Sequence, residues 1–409
     1  MKRPMGVEGE RRHALSRRCA TARRWPAAAL LAWVAGVGLS QSTSAVQGPK
    51  DVYVAPTGSA SKAGTSCTTA RFSAIMAAIK QAAPGSTVVV CPGTYRGQVT
   101  VVKPLTLEGE HANIDAAGAD NGITVPTPGS TVEGFTVTGA IGEGILVVGK
   151  PGVPVTHVTV KDNVVTGNDR GNFSEKLVTH SSYRECNALD NVPGDCGEAI
   201  HLMVAADSVV EDNIVEGNGG GILLTDEFGP VDHNLVEGNT VEHDHDGGII
   251  VVSHAGLGFV HGKLRPRAGG DYANIIKNNV VQDNPGAIVL ATPVPGGAVY
   301  DNVVEGNTVS GNGDSGVTVH SHVPGQYMNG NVIEGNTIKV NNLDGDPDFK
   351  PMDHATTGVL VGTVGPLSIT VAHNTIIGDA YGIWYLHPAT VTGAATNTFK
   401  GVHVHLYAA

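Results

Sequence analysis

A short apolar run recurs along this chain, and that repetition limits the possible folds more than any other feature. Each run begins with a small residue, Gly or Ala, and continues with mostly aliphatic side chains. The runs are GITV at 122, GILV at 144, AIHL at 199, GILL at 221, GIIV at 248, AIVL at 287, GVTV at 316, GVLV at 358, GIWY at 382 and GVHV at 401. Their recurrent spacing near 22 residues, in segments of strand-type composition, predicts a solenoid of stacked β coils.

The turns repeat with the strands. Segments such as DNIVEGN, HNLVEGNT, NNVVQDN and DNVVEGNT precede the apolar runs. Asn side chains in successive turns can stack into hydrogen-bonded ladders and tolerate left-handed backbone geometry. Because side chains alternate along a strand, we expect the first and third residues after the small residue to face inward and the second and fourth to face outward.

These features resemble secreted right-handed parallel β-helix proteins, the architecture of pectate lyases, alginate lyases and epimerases. The resemblance covers about residues 51 to 409. It includes the opening DVYVAPTGSASKAGTSC, an amphipathic segment RFSAIMAAIKQAA, and GSTVVVCPGTYRG as the first coil. The resemblance implies an all-β fold, a right-handed parallel β-helix whose open N-terminal end is capped by a short helix. It implies no single reaction, because unrelated chemistries use this scaffold.

The N-terminal segment differs from the rest of the chain. Eight Lys and Arg residues precede the apolar run WPAAALLAWVAGVGL, and the small residues Thr43, Ser44 and Ala45 follow it. This order predicts a secretion signal over residues 1–45, and hence an extracellular location, with a single β-helix domain over residues 46–409. The alternative is an uncleaved membrane anchor, although the run is short for a bilayer span. We expect a monomer with no membrane contact after cleavage.

The charge of the chain limits its binding partners, and its cysteine content predicts disulfide bonds. Without residues 1–45, 18 basic residues face 36 acidic ones, so nucleic acid is disfavoured as a partner. Four cysteines remain, and in an oxidising compartment we expect Cys67 to pair with Cys91 and Cys186 with Cys196.

Three insertions interrupt the repeat, at residues 169–197, 254–273 and 339–357. The first and third enter before the outward strand face and the second leaves after it. Together they would wall a cleft whose floor is that face, because long loops on a regular scaffold are often functional.

Polar residues at the ends of the runs are the candidates for chemistry. They include two histidines in GVTVHSHVPG, His320 and the weaker candidate His322. The predicted catalytic residues are His201, Asp226, Glu227, His254 and His320. The predicted substrate-binding residues are Lys263, Arg265, Arg267, Leu223, Ile250 and Trp384.

Three classes of function remain open. The first is a polysaccharide or glycan enzyme. In β-elimination or epimerisation His254 or His320 would be the base, with basic side chains holding the sugar carboxylate. Hydrolysis would use two carboxylates, and the carboxylates available for it are Asp226 and Glu227 with Asp244 or Asp246.

The second class is an exported enzyme that cyclises or isomerises an apolar metabolite on the outward stripe. The third is a non-enzymatic solenoid that binds a surface or carries copper or zinc through His254, His320 and His322. The run EHDHDGG resembles a metal site, but its position in a turn favours a capping role. The sequence identifies no cofactor, although a uronate lyase could use Ca²⁺.

Overall fold

The structure is a computed structural model that describes residues 50–168, 197–254, 257–260, 263–266, 269–345 and 355–409, with side chains described outside 257–266. The chain winds in coils whose strands form three parallel sheets, which we call sheet 1, sheet 2 and sheet 3. Sheets 1 and 2 run along most of the coils, whereas sheet 3 receives strands from five of them. A two-stranded antiparallel hairpin, Leu257–Val260 with Lys263–Pro266, leaves this pattern. The chain therefore advances along one axis, and the strands of each coil pair with those of the adjacent coils.

Sheet 2 carries the repeated apolar runs. Its eleven strands are Val99–Thr100, Ile123–Val125, Ile145–Val148, Glu198–Met203, Gly220–Thr225, Gly247–Val252, Gly286–Thr292, Val317–Ser321, Thr357–Gly362, Tyr381–Tyr385 and Val404–Ala408. Sheet 3 is shorter. Its five strands are Val155–Thr156, Ala205–Ala206, Val231–Asp232, Asp271–Tyr272 and Val299–Tyr300.

Sheet 1 forms the rest of the wall and contains two successive strands from most coils. Its strands are Val52–Val54, Thr87–Val90, Gly93–Arg96, Thr106–Asp115, Thr131–Thr138, Thr159–Lys161, Val164–Thr166, Val209–Glu211, Ile214–Glu216, Leu235–Glu237, Thr240–Glu242, Ile275–Lys277, Val280–Gln282, Val303–Glu305, Thr308–Ser310, Val332–Glu334, Thr337–Lys339, Ser368–Ala372, Thr375–Ile377, Thr390–Thr392 and Thr398–Lys400.

The interior consists of columns of aliphatic side chains. Ile145 is in register with Ile200, and Ile200 with Ile222; all three are buried in one core cluster that extends along the axis. Each such side chain stabilises the fold by roughly 1.5–3 kcal/mol through burial. The predicted inward and outward alternation is therefore confirmed in these strands.

The predicted asparagine ladders are also confirmed. Within each, a side-chain amide donates to the carbonyl oxygen of the next Asn, as from Asn239 to Asn279 and from Asn279 to Asn307, both at 3.0 Å. The residue directly before a ladder Asn has the left-handed backbone conformation, as Asn278 does with φ 54° and Gly306 with φ 66°. The repeated DN and GN pairs thus combine a residue that tolerates positive φ with a buried hydrogen-bonding side chain.

A short helix lies at the N-terminal end of the stack, as predicted. It spans Ile75–Gln81 and buries Ile75, Ala78 and Ile79 against the core. Cys67 and Cys91 form a disulfide, which confirms that pairing. Cys186 and Cys196 lie outside the described residues, as does the segment 1–45. The observed architecture confirms the predicted parallel β-helix with its capping helix.

The last apolar run has a different register from the one the sequence suggested. GVHV at 401 aligns with GIWY at 382 by its leading Gly, which would place His403 beside Trp384. In the structure Trp384 pairs with Tyr407 and Ile383 with Leu406. That prediction is wrong, because Lys400 pairs with Ile377, so Gly401 takes the place of the turn residue Gly378, which also has a positive φ, and not the place of Gly382.

Membrane insertion is not indicated by any helix in the described ranges, since none combines the length and apolar character that a bilayer span requires.

Candidate active site

The outward face of sheet 2 brings distant residues into one column. A column here means equivalent positions of successive strands, about 4.8 Å apart. The outward column at the second position of the runs contains Leu146, His201, Leu223, Ile250, Val289, Thr318, Leu360, Trp384 and Tyr407. Most of these side chains are aliphatic, so His201 is the ionisable exception.

Five side chains form a hydrogen-bonded chain across this face, which we call the acid–histidine network. His201 contacts Oε1 of Glu143 through Nδ1 at 3.2 Å and Oγ1 of Thr225 through Nε2 at 2.9 Å. Thr225 donates its hydroxyl proton to Glu227, and Oε1 of Glu227 lies 3.3 Å from Nδ1 of His254. Four successive coils thereby contribute to one polar system inside an apolar surface.

Asp226 positions the backbone beside this network. Its Oδ1 accepts a hydrogen bond from the backbone N–H of His254 at 2.7 Å, and its Oδ2 accepts one from the hydroxyl of Ser253 at 2.9 Å. Asp226 and Glu227 are adjacent in sequence, so they hold the main chain and the side chain of His254 respectively. Fixed from both sides, His254 has the restricted geometry that acid–base catalysis needs.

Glu227 is an anion in this setting. Burial by itself would raise the pKa of its carboxyl, but the hydrogen bond with His254, the charge of His201 and the hydrogen bond from Thr225 outweigh burial and lower that pKa. The side chain of Glu227 is 5% exposed and that of His254 is 8% exposed. An ionised carboxylate that is shielded from water stabilises a protonated imidazole strongly.

Asp271 is buried inside the β-helix, close enough to Asp226 and Glu227 to be affected by their charges. Burial, followed by the charges of Asp226 and Glu227, raises its pKa well above the ordinary value for Asp. Within the described residues neither carboxylate oxygen of Asp271 has a hydrogen-bond partner. It occupies an inward position of sheet 3 in register with Val231 and Val299, so its carboxyl lies in an aliphatic column that favours the neutral form.

His320 lies apart from the acid–histidine network. It shares a column with Thr225, but Val252 and Ala291 occupy the two places between them. Its ring is 5.4 Å from that of His322. Of the five predicted catalytic residues, the structure brings His201, Asp226, Glu227 and His254 together and leaves His320 on the same face three strand spacings from Thr225.

An apolar patch separates the acid–histidine network from His320 and His322. It consists of Leu223, Val252 and Ala291, with Ile250 and Val289 packed against them. These side chains belong to a cluster distinct from the core of the solenoid. Two predicted substrate-binding residues, Leu223 and Ile250, therefore lie beside the site, while Trp384 lies four strands beyond Ile250 and packs against Tyr381 and Tyr407.

A protein-family model for the right handed beta helix region matches residues 107–264 and 267–399. The chain belongs to this family. No curated protein sequence matches the β-helix chain.

Solved structures of similar fold include several proteins named for polysaccharide chemistry. The A-module of the Azotobacter vinelandii mannuronan C-5 epimerase AlgE4 has a TM-score of 0.52 at 17% identity, covering 82% of this chain and 92% of that one. Pectate lyase Pel9A has a TM-score of 0.47 at 17% identity, covering 87% and 80%. The catalytic unit of a GH87 alpha-1,3-glucanase from Streptomyces thermodiastaticus has a TM-score of 0.46 at 16% identity, covering 82% and 65%. At these identities the likeness is one of fold.

The basic residues predicted to bind substrate are only partly placed. Lys263 and Arg265 lie on the second strand of the hairpin that leaves the β-helix after His254, where the structure describes the backbone alone. Arg267 lies outside the described residues. The predicted insertions 169–197 and 254–273 stand before the strand Glu198–Met203 and after the strand Gly247–Val252. Two predicted bounds differ from the structure: insertion 254–273 includes the sheet 3 strand Asp271–Tyr272, and insertion 339–357 begins at Lys339, which is still in a sheet 1 strand.

The run EHDHDGG has the turn role that its position suggested. Oδ1 of Asp244 accepts hydrogen bonds from the backbone and side-chain amide of Asn218, and its own N–H donates to Asn284. Asp244 thus takes one Asn position in a ladder. Burial raises the pKa of its carboxyl to about 7, against the hydrogen bonds from Asn218 that lower it.

Sequence reasoning missed Glu143, Glu198, Thr225 and Asp271. Glu143 and Glu198 each stand two residues before the paired isoleucines Ile145 and Ile200, and this repeated offset was a usable signal. Asp271 was hidden inside the predicted insertion 254–273, because nothing in its local sequence marks the return of the chain to the β-helix.

Proposed function

We propose that the chain is an exported enzyme that acts on a polysaccharide by proton transfer, with His254 as the residue that accepts or donates the proton. The observation that carries this proposal is the contact between His254 and the ionised carboxylate of Glu227 at the edge of sheet 2. A carboxylate on one imidazole nitrogen orients the ring and stabilises its charged form, so that the other nitrogen can act as a base.

The substrate class follows from the face on which this pair lies. A polysaccharide is long enough to lie along several coils of sheet 2, whose outward columns repeat about every 4.8 Å. The likeness in fold to the mannuronan C-5 epimerase module makes acidic polysaccharides the first class to test. In a uronate the carboxylate acidifies the neighbouring C–H, and removal of that proton leads to epimerisation or, with loss of the 4-linked oxygen, to elimination.

The residues then have separate roles in the proposed reaction. Nε2 of His254 takes the proton from carbon, Glu227 stabilises the resulting imidazolium, and Asp226 with Ser253 keeps the backbone of His254 in place. His201 and Thr225 hold Glu227 from behind through the network. In epimerisation a proton from solvent adds to the opposite face of the carbanion. In elimination the bond to the 4-linked oxygen breaks, a carbon–carbon double bond forms, and the departing oxygen takes a proton from the imidazolium of His254 or from water.

The test is hydrogen exchange at carbon. The purified protein is incubated in D₂O with a panel of uronate and neutral polysaccharides, and deuterium incorporation is measured by mass spectrometry alongside unsaturated products and new reducing ends. We expect deuterium at the carbon next to the carboxylate, or an unsaturated product, with one uronate polymer. His254→Ala should lower that rate by roughly a hundredfold or more.

His403 provides a matched control, since it is an exposed histidine of the final coil, and His403→Ala should retain the full rate. His320→Ala tests the second histidine on the face. If His254→Ala keeps full turnover while His320→Ala loses it, the base is the other histidine and the proposal is wrong. New reducing ends with neither exchange at carbon nor an unsaturated product would indicate hydrolysis instead.

The apolar patch supports a second candidate. Leu223, Val252 and Ala291 with their neighbours form an aliphatic surface directly beside His254, which suits an apolar small molecule better than a sugar. Under this alternative the same acid–base pair would isomerise or cyclise a secondary metabolite. Exchange or mass change with apolar carbonyl compounds, and none with any glycan, would favour it.

A further inference from the structure

Three possible metal ligands converge at the inner end of the acid–histidine network. Glu143 and Glu198 are in equivalent places on neighbouring coils, and His201 follows Glu198 by three residues on the same strand. One ring nitrogen of His201 and one carboxylate oxygen of each glutamate lie within 4.8 Å of one another. All three residues are buried, with His201 and Glu143 at 0% and Glu198 at 4% exposure. Two carboxylates and one imidazole are a common ligand set for divalent first-row metals.

The hydrogen-bond directions define which nitrogen of His201 would be the ligand. The hydroxyl of Thr225 has one proton and donates it to Glu227. Thr225 therefore accepts at its oxygen, and the contact of 2.9 Å with Nε2 of His201 requires a proton on Nε2. The lone pair of a neutral His201 is then on Nδ1, which faces Oε1 of Glu143 at 3.2 Å. The positive species between these lone pairs is either a proton, which would make His201 an imidazolium paired with Glu143, or a metal ion bound to both atoms.

Distances and space are consistent with one ion as that species. Adjacent ligands of a tetrahedral zinc ion, each about 2.0–2.2 Å from the metal, are separated by about 3.3–3.6 Å, close to the distance between Nδ1 and Oε1. The next place in the column after Glu198 is Gly220. A Cβ atom there would lie 3.3 Å from Cγ of Glu198, so the glycine leaves room for the glutamate to lie over it.

We propose that Glu143, Glu198 and His201 form a binding site for a divalent first-row metal ion such as Zn²⁺ or Mn²⁺. The ligand atoms are one carboxylate oxygen from each glutamate and Nδ1 of the histidine. Thr225 is a positioning residue, because it accepts the proton of Nε2 and so fixes the ring as metal-binding histidines usually are fixed. The proposal stands independently of the proposed polysaccharide activity, since metal binding is measured without any substrate.

The experiment measures metal content and thermal stability of the whole secreted chain. Protein stripped with a chelator is dialysed against Zn²⁺ or Mn²⁺, and bound metal is counted by elemental mass spectrometry. We expect one equivalent of one of these ions and a higher unfolding temperature in its presence, because a ligand of the native state stabilises it. The doubly substituted Glu143→Gln and Glu198→Gln protein should bind at least a hundredfold more weakly.

Two further variants guard against a folding defect. Thr225→Val has nearly the same shape and should lower metal affinity by about 10–100-fold while leaving the ligands in place. Glu242 belongs to a separate group at the surface, with Glu216 and His243. Glu242→Gln should therefore leave the affinity of the proposed site for metal unchanged. No bound metal in the native chain, or equal metal content in the native and doubly substituted proteins, would overturn the proposal.

Discussion

Oε1 of Glu227 and Nδ1 of His254 are 3.3 Å apart, although the two residues belong to successive coils and are separated by 27 positions in the chain. Glu227 follows the strand Gly220–Thr225, and His254 follows the strand Gly247–Val252, which pairs with it in parallel. Each side chain stands just past the end of its strand, so the register of sheet 2 determines the contact. Glu227 and His254 therefore come into contact because their coils stack on each other.

Removal of the Glu227 charge should have a pH-dependent effect on stability. The pKa of Glu227 is lowered from its ordinary value of 4.5, so its contribution to stability is present above pH 4.5 and is lost as the pH falls through the lower folded-state pKa. Glu227→Gln should reduce the free energy of unfolding by about 3 kcal/mol at pH 7, because it leaves His254 and Thr225 without their ionised partner. Urea unfolding at pH 7 and at pH 3 measures the difference, which should shrink at pH 3. An equal loss at both values would contradict an ionised Glu227.

Repair of the ladder at Asp244 should stabilise the protein. Asp244 replaces an Asn whose amide would donate along the ladder, and its Oδ2 has no hydrogen-bond partner in the described residues. Because its pKa rises from 3.8 to about 7 in the folded state, the folded protein binds the extra proton, and stability falls as the pH rises from about 4 to about 7.

Asp244→Asn removes this penalty. We expect a gain of about 2 kcal/mol at pH 8 that disappears towards pH 4, where the protonated carboxyl resembles the amide. Thermal or urea unfolding across this range measures it. Asp283→Asn, at an exposed position, is the matched control and should change stability little. A gain that does not depend on pH would show that Asp244 does not titrate in this range.

Replacement of Asp271 by valine should also increase stability. Its register partners Val231 and Val299 show that a branched aliphatic side chain fits that column. The substitution removes a buried carboxyl without hydrogen-bond partners in the described residues, so we expect roughly 1–3 kcal/mol of added unfolding free energy at pH 7. Asp271→Asn keeps a buried polar group and should give little gain. A less stable Asp271→Val protein would mean that the carboxyl makes a favourable contact in solution.

The disulfide between Cys67 and Cys91 should stabilise the N-terminal coil. It joins residues 24 positions apart, so a double substitution to Ala should cost about 3 kcal/mol of unfolding free energy. The prediction that Cys186 pairs with Cys196 gives a second measurement on the same chain. The mature protein, denatured without reductant, should take up no thiol reagent, and labelling at either residue would contradict this pairing.

The sequence alone determined the scaffold. Ten similar runs with Asn-containing turns can bury their apolar faces only by stacking on one another, and the inward columns and the ladders follow from that periodicity. Local sequence also located the strand ends at which Asp226, Glu227 and His254 stand. It misplaced the final run, because Gly401 occupies the turn position of Gly378 and not the small-residue position that begins a sheet 2 strand.

Only the tertiary structure decided which polar residues meet. Glu143 and His201 are separated by 58 positions, and an insertion of undetermined register lies between them in the sequence. The sequence predicted His320 just past a strand, as it did His254, but His320 lies within the strand Val317–Ser321. Two intervening strands also put Val252 and Ala291 between His320 and Thr225. Two residues on one face of a β-helix are in contact only if few coils lie between them. The number of coils cannot be counted from a sequence that contains irregular insertions. For that reason the scaffold was predictable and the composition of the acid–histidine network was not.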